Sequence, residues 1–234
     1  MEEIDTSEFT SIAHQQIKPE ENPDFKPINV FNRYIIVDDF YANPDQIRNY
    51  ALSVEKEEET NGNYAGKMTN SSFITQEHLQ AFKDIIGQEV YPSTSLTGKF
   101  RFTSESDPLK QDIHFDPGDN NCCWAAVAYL TPNVEADGTY FWQHNKTGLT
   151  EIPRTLEGIQ QYGWNDTDDL KVFLETEGCD HSLWKKTLTI PYKYNRLVLF
   201  RPWLFHSPGP AFGTTPEDNR LIQTFFFGTL EKPL

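Results

Sequence analysis

From about residue 96 to residue 228 the apolar residues of this chain recur with a period close to two, and this pattern constrains the fold more than any other feature. A period of two places alternate side chains on opposite faces of a strand, whereas a helix needs a period near 3.6. The pattern predicts a barrel-like core of strands at 98–104, 111–116, 122–131, 139–142, 186–190, 195–201 and 220–228.

The N-terminal part predicts one strand and two helices. The strand covers 29–40. Asn43-Pro44 is a good N-cap and first-turn pair, and apolar residues follow it at helical spacing. A second helix is predicted from Thr75 to Ile86, with Gly87 just past its end.

The length of 234 residues suits one sizeable core, so we expect a single domain over 28–234. Residues 1–27, acidic and interrupted by prolines, are predicted to be a flexible arm. The β core occupies about 96–230. It is interrupted at about 145–185 by a lid-like insert with helical stretches at about 154–162 and 167–176.

The charge balance of the chain limits its partners. It has 20 Lys and Arg against 35 Asp and Glu, a formal net charge of −15. An acidic surface repels phosphate backbones and anionic lipid headgroups. No stretch approaches the roughly 20 apolar residues of a membrane span. We therefore expect neither nucleic acid nor a membrane as a direct partner.

The first residues, Met-Glu-Glu-Ile-Asp, have neither the basic nor the apolar region of a secretory signal. Of the three cysteines, Cys122 and Cys123 are adjacent and would point to opposite faces of a strand. They cannot comfortably pair, which leaves Cys179 as the only other partner. No disulfide framework is predicted, so we expect a cytoplasmic protein.

Two segments carry residues that ligate metals. His114 and Asp116 are two apart on a predicted strand, so both can reach one ion at about 2.1 Å. His206 follows the strand 195–201 after a short loop and precedes a Pro/Gly turn. Two imidazoles and one carboxylate on one face of an octahedral Fe(II) leave three positions open. Taken singly, each could be an ordinary hydrogen-bonded core or surface residue; together they predict an iron site.

Arg220 opens a strand that is otherwise apolar and aromatic. A buried unpaired guanidinium is costly, so this arginine needs an anionic partner. A dicarboxylate that chelates iron at one end could pair with Arg220 in a bidentate way at the other. The alternative is a structural salt bridge to one of the 35 acidic residues.

These residues, in this order, resemble the double-stranded β-helix Fe(II)/2-oxoglutarate oxygenases, most of all the prolyl-hydroxylase-like branch. The matching segments span about 96–230 and are His114-Phe115-Asp116, Ala128-Tyr129-Leu130-Thr131, Gly138-Thr139-Tyr140-Phe141, Arg196 to Phe200, His206 and Arg220. A small uncharacterised bacterial family within that superfamily is resembled by further segments: Val37-Asp38-Asp39-Phe40-Tyr41 with Pro44-Asp45, Asn195-Arg196-Leu197, Phe205-His206-Ser207, Phe212-Gly213 and Arg220-Leu221.

The resemblance implies an α+β, mostly β fold: a jelly-roll or cupin-like core with the N-terminal helices packed outside it. It implies an oxidoreductase, a dioxygenase with Fe(II) as cofactor and 2-oxoglutarate and O2 as co-substrates. The reaction would hydroxylate a C–H bond of an amino acid, peptide or small metabolite and release succinate and CO2. Related halogenases replace the carboxylate ligand by a small residue, so Asp116 favours hydroxylation.

The resemblance also assigns roles. His114, Asp116 and His206 would bind iron and form the catalytic centre, while Arg220 and Tyr129 would bind the distal carboxylate of 2-oxoglutarate. Many relatives have Ser or Thr two residues after the arginine, but this chain has Ile222, so Thr224 is the next candidate. Candidates for contact with a small-molecule or peptidyl substrate are Tyr140, Trp142, His144 and Trp203.

Three other interpretations stay open at this point. The chain could be a cupin-like metal enzyme that does not use 2-oxoglutarate, although such proteins usually lack a matching arginine. It could be a binding scaffold with a vestigial metal site, or an acidic structural protein in which the triad is a coincidence. The sequence does not specify the substrate or the oligomeric state.

Overall fold

The computed structural model describes residues 33–58, 66–107, 112–116 and 122–229. The predicted arm over 1–27 lies outside the described residues. The helices are α1 (Pro44–Ser53), α2 (Gln76–Ile86), α3 (Leu156–Gln160), α4 (Thr167–Glu177) and a 3-10 turn (His181–Leu183). The strands are β1 (Tyr34–Val37), β2 (Lys56–Glu58), β3 (Lys67–Thr69), β4 (Val90–Pro92), β5 (Phe100–Thr103), β6 (Cys122–Tyr129), β7 (Asp137–His144), β8 (Trp184–Pro191), β9 (Leu197–Phe200), β10 (His206–Pro208) and β11 (Arg220–Thr229).

The strands form two antiparallel sheets. The large sheet has the order β1-β9-β6-β11-β5-β3-β2, with β4 added beside β11, and the small sheet has the order β10-β7-β8. From β5 onward the chain alternates between them: β6, β9 and β11 join the large sheet, while β7, β8 and β10 form the small one. His114, between β5 and β6, extends the small sheet through a bridge to His206. This alternation is that of a double-stranded β-helix, so the predicted fold class is confirmed.

Three apolar clusters hold the layers together. The inner cluster lies between the two sheets and includes Tyr129, Phe141, Val198, Phe200 and Ile222. The helix-side cluster packs α1 and α2 on the outer face of the large sheet. The insert-side cluster packs α4 against the outer face of the small sheet. Both sheets are therefore covered on both faces.

The predicted N-terminal helices are confirmed together with their ends. The Asn43 side chain accepts a hydrogen bond from the backbone N–H of Gln46 at the start of α1, and Pro44 is the first helical residue. Thr75 caps α2, and Gly87 ends it with a φ of 77°, a left-handed conformation that glycine adopts at little cost.

Several strand boundaries differ from the prediction. Within the predicted strand 29–40 the structure has β1, which stops where Asp39 takes a φ of 56°. The strand predicted at 111–116 is reduced, among its described residues, to the single bridge at His114. Strands β7 and β8 run longer than predicted because they pair with each other over most of their length. Strands β2, β3, β4 and β10 were not predicted.

No helix in the described part of the chain is long and apolar enough to cross a membrane.

A buried polar group connects α2 to the large sheet. The Tyr41 hydroxyl donates to Gln223 Oε1 at 2.5 Å and lies 3.1 Å from His78 Nε2. His78 Nδ1 lies 2.9 Å from the Thr75 hydroxyl. Burial disfavours the imidazolium and lowers the pKa of His78 to about 4.

We expect the free energy of unfolding to decrease as the pH falls from about 6.5 to about 4. Over that range His78 takes up a proton in the unfolded chain but not in the folded one. His78→Gln should make this dependence shallower by up to about 1.4 kcal/mol per pH unit, and Gln keeps the capping box of α2. Urea denaturation at several pH values measures both slopes. Equal slopes in the two proteins would contradict the assignment of this pH dependence to His78.

Candidate metal centre

Backbone pairing between two distant segments builds the centre. The His114 N–H donates to the His206 carbonyl at 3.0 Å, and the His206 N–H donates to the His114 carbonyl at 2.9 Å. The pairing places both imidazoles on the same face, with ring centroids 4.3 Å apart. Asp116 is held by its own N–H, which donates to the Pro202 carbonyl at 2.8 Å. One ligand atom from each of these three side chains falls within 4.8 Å of the other two.

The hydrogen bonds of the two imidazoles fix which nitrogen can bind a metal. His114 Nδ1 lies 2.7 Å from the Asp112 carbonyl, and His206 Nδ1 lies 2.8 Å from the Leu204 carbonyl. A carbonyl oxygen only accepts, so Nδ1 carries the proton in both rings. Each Nε2 is then the nitrogen left for a metal, and it lies near the Asp116 carboxylate, at 3.7 Å for His114 and 3.3 Å for His206. Outer contacts of this kind orient metal-binding histidines.

The spacing suits a small divalent cation. Ligands about 2.1 Å from a metal and at right angles to each other lie about 3 Å apart, so a small inward movement closes the measured gaps. Two histidines and one carboxylate on one face are the ligand set of non-haem Fe(II) sites. The donor set present therefore fits iron.

Electrostatics favour a cation at this position. Burial, reinforced by the neighbouring His206, lowers the pKa of His114 to about 4, so its imidazole is uncharged at neutral pH. Burial acts to raise the pKa of Asp116, but His206, His114 and Arg101 outweigh it, and the pKa falls below its ordinary value. An uncharged imidazole beside an ionised carboxylate is the state that metal binding requires.

Arg220 lies at the start of β11, on the same face of the large sheet as the inner-cluster residue Ile222. Its side chain is buried, and Nη2 donates to the Gly138 carbonyl at 2.8 Å. Its Nε is also buried and finds no hydrogen-bond acceptor among the described residues. Within the same described ranges, the ion pairs include no carboxylate bound to Arg220. A buried guanidinium with an unused donor fits an anionic ligand.

Tyr129 lies near Arg220, with the guanidinium carbon 5.9 Å from the ring centroid. Its hydroxyl shares a hydrogen bond of 2.6 Å with Thr139, and its ring stacks on Tyr192 at 4.5 Å. Burial raises the pKa of Tyr129 to about 12, so it stays a neutral donor at physiological pH. Arg220, Tyr129 and Thr139 thus bring polar atoms into one buried region between the sheets.

The structure places Thr224 differently from the prediction. Its hydroxyl donates to the carbonyls of Leu96 and Lys99, at 3.0 and 3.3 Å, in the loop that leads into β5. A hydroxyl has one proton, and here backbone acceptors take it. Thr224 is therefore better described as fixing that loop than as a donor to a co-substrate.

The structure places three of the candidates for substrate contact, Tyr140, Trp142 and His144, away from the inner cluster. All three lie on the outer face of the small sheet, in or beside the insert-side cluster, while Phe141 between them faces the inner cluster. His144 Nδ1 bonds to Thr147 and Nε2 to Glu177, at 3.0 and 2.9 Å.

Trp203, by contrast, packs partly buried against the inner cluster. It follows Pro202, whose carbonyl holds Asp116. Trp203 therefore stays a candidate for substrate contact.

Sequence reasoning missed the groups that orient the ligands. Two are backbone carbonyls, at Asp112 and Leu204, and no residue type marks a carbonyl as an acceptor. Phe141, whose ring lies 6.3 Å from His206, was also missed.

We expect Gly138→Ala to destabilise the protein. A Cβ at this position would lie 2.6 Å from the Tyr129 hydroxyl oxygen, so the Tyr129 ring or the backbone of β7 must move. Overpacking of this kind costs about 1–3 kcal/mol of unfolding free energy, which urea denaturation measures. An unchanged free energy of unfolding would mean that Tyr129 is not confined by Gly138.

Comparisons with known proteins place the chain in a family. The model of DUF6445, described as a family of unknown function, matches residues 22–227. Among proteins with curated descriptions, none matches the chain.

Solved structures with a similar course of the chain include the following three. One is an oxidoreductase of the 2OG-Fe(II) oxygenase family from Burkholderia pseudomallei, 12% identical, with a TM-score of 0.44 and coverage of 83% of this chain and 85% of that one. Another is EctD from S. alaskensis with bound Fe, 15% identical, with a TM-score of 0.46 and coverage of 90% and 81%. A third is HygX from Streptomyces hygroscopicus with nickel and 2-oxoglutarate bound, 10% identical, with a TM-score of 0.42 and coverage of 84% and 83%.

Similarities of this size do not establish a shared reaction, since one fold hosts many. The match that decides the family is the one that spans most of the sequence, from residue 22 to residue 227. The chain belongs to the family of unknown function DUF6445.

Proposed function

We propose that this protein is an Fe(II)- and 2-oxoglutarate-dependent dioxygenase that hydroxylates a C–H bond of an amino acid, a peptide or a small metabolite. The observation that carries the proposal is the convergence of His114, Asp116 and His206, with both Nδ1 atoms occupied by carbonyls and both Nε2 atoms directed at the carboxylate. Cytoplasmic location stays a prediction from the sequence.

In the proposed enzyme His114 Nε2, His206 Nε2 and an Asp116 oxygen hold Fe(II) on one face. Bound iron and 2-oxoglutarate together supply the activation of O2 and the removal of hydrogen from the substrate, with succinate and CO2 as by-products. The protein contributes fixed geometry, because the ligand rings cannot rotate without breaking their carbonyl hydrogen bonds. The carboxylate at Asp116 fills a position that a halide would otherwise need, which favours hydroxylation.

The proposed role of Arg220 is to bind the distal carboxylate of 2-oxoglutarate. Its buried Nε supplies a donor that the described residues do not use. Arg220 Nη2 is fixed by the Gly138 carbonyl, so the guanidinium is held in place before the ligand arrives. Tyr129 is the proposed second donor: its hydroxyl would accept the hydrogen bond from Thr139 and donate its own proton to the carboxylate.

We expect His114→Ala and His206→Ala each to weaken Fe(II) binding by more than about 100-fold, since even outer contacts of metal ligands contribute 10–100-fold. Anaerobic equilibrium dialysis with metal analysis measures the stoichiometry and the dissociation constant. His78→Gln, which replaces a buried histidine remote from the triad, is the matched control and should bind iron as the unaltered protein does. Iron binding that survives in both alanine variants would refute the ligand assignment.

We expect Arg220→Ala to weaken the binding of 2-oxoglutarate to the Zn(II)-loaded protein by about 100-fold. Such a loss corresponds to roughly 2.7 kcal/mol, within the range for a buried charge-assisted pair. Titration calorimetry measures this constant without turnover.

The matched control for Arg220 is Arg196→Ala. Arg196 is already paired with the Asp38 carboxylate in a partly buried salt bridge, so its loss should leave the affinity for 2-oxoglutarate unchanged. An equal effect of both substitutions would show that the anchor is not Arg220. Zinc binding without 2-oxoglutarate binding in the unaltered protein would favour a cupin-like enzyme that does not use this co-substrate.

A further inference from the structure

The C-terminal part of the insert, residues 177–184, lies against the segment that carries His114. We call residues 177–184 the strap. The Ile113 N–H donates to the Gly178 carbonyl at 3.0 Å. A Cβ at Gly178 would lie 2.6 Å from the Ile113 carbonyl oxygen and 2.5 Å from the Leu174 carbonyl oxygen. Only a residue without a side chain allows the strap to approach the ligand segment this closely.

Asp112 connects the strap to the metal ligand. Its backbone carbonyl accepts the hydrogen bond from His114 Nδ1, and its side chain accepts one from His181 Nε2. The Asp112 carboxylate is buried, with a side-chain exposure of 7%, while the His181 side chain is 52% exposed. A buried carboxylate needs a donor, and within the described ranges its ion-pair partner is His181. One residue thus bonds to the strap through its side chain and to the metal ligand through its backbone.

The strap is itself anchored to the small sheet. The Trp184 indole N–H donates to the Glu177 carbonyl at 2.9 Å, and Glu177 Oε2 bonds to His144 at 2.9 Å. The His181 ring packs on Trp142 with centroids 4.9 Å apart. Trp142 in turn donates to the hydroxyl of Ser207, the residue after the ligand His206, at 3.0 Å. The strap therefore reaches both ligand segments from outside the small sheet.

We infer that Asp112 and His181 are positioning residues for the proposed iron site: through them the strap fixes the orientation of His114. This rests on the proposed function, because it requires that His114 bind a metal. Neither residue is placed to ligate the metal. The insert then acts, through the strap, as a support for the ligand segment from the far side of the small sheet.

The test measures Co(II) affinity in variants of the pair. His181→Leu and Asp112→Ala should raise the dissociation constant for Co(II) by about 10–100-fold, the range for outer contacts of metal ligands. They should also change the visible d–d absorption of bound Co(II), because the imidazole of His114 is less constrained. His181→Gln keeps a donor for Asp112 and should bind Co(II) within about threefold of the unaltered protein. Cys179→Ser, at an exposed position of the same strap, is the matched control and should leave the Co(II) affinity unchanged.

The outcomes separate this inference from the proposed function. Unaltered Co(II) affinity in His181→Leu and Asp112→Ala, with normal binding by the parent protein, would overturn the positioning role alone. An equal loss in His181→Leu, His181→Gln and Cys179→Ser would also overturn it, because the effect would then be general damage to the strap. Absence of Co(II) binding in the parent protein would overturn both the positioning role and the proposed metal site.

Discussion

The pairing of His114 with His206 is the interaction on which the candidate site depends. These residues are far apart in sequence, and two backbone hydrogen bonds place their imidazoles on one face of the small sheet. The pairing requires the alternation of the chain between two sheets, which the covered outer faces stabilise. Asp116 reaches the same point because it lies two residues beyond His114 and its N–H is held by Pro202. The strand pairing that defines the fold therefore also places the three candidate ligands together.

The interior and the surface of the protein differ in charge. The chain as a whole carries a formal charge of −15, yet the region between the sheets holds Arg220 with a donor that the described residues do not use. A cation bound by the triad would add further positive charge. These groups are buried, so charge-assisted hydrogen bonds are stronger there than at the surface. A small dicarboxylate suits that interior, whereas the acidic surface disfavours polyanionic substrates.

Much of the fold and of the candidate site could be predicted from the sequence. The rest could not be predicted, for physical reasons. Period-two patterning located most of the strands of the core, and the order His114, Asp116, His206 identified residues that the fold brings together. The pattern could not say which face of β7 points inward, because both faces of the small sheet are buried against apolar clusters. Tyr140, Trp142 and His144, named as candidates for substrate contact, lie on the outer face. The contact between Asp112 and His181 joins residues 69 apart and leaves no local signal.

The most direct measurement is an anaerobic titration of the metal-free protein with Fe(II) and then 2-oxoglutarate, followed by visible absorption. Chelation of Fe(II) by the keto-acid end of 2-oxoglutarate gives a weak charge-transfer band. We predict that this band develops at one equivalent of iron and saturates with 2-oxoglutarate. Stoichiometric iron binding without the band, or no iron binding, would contradict the assignment of this protein as a 2-oxoglutarate-dependent dioxygenase.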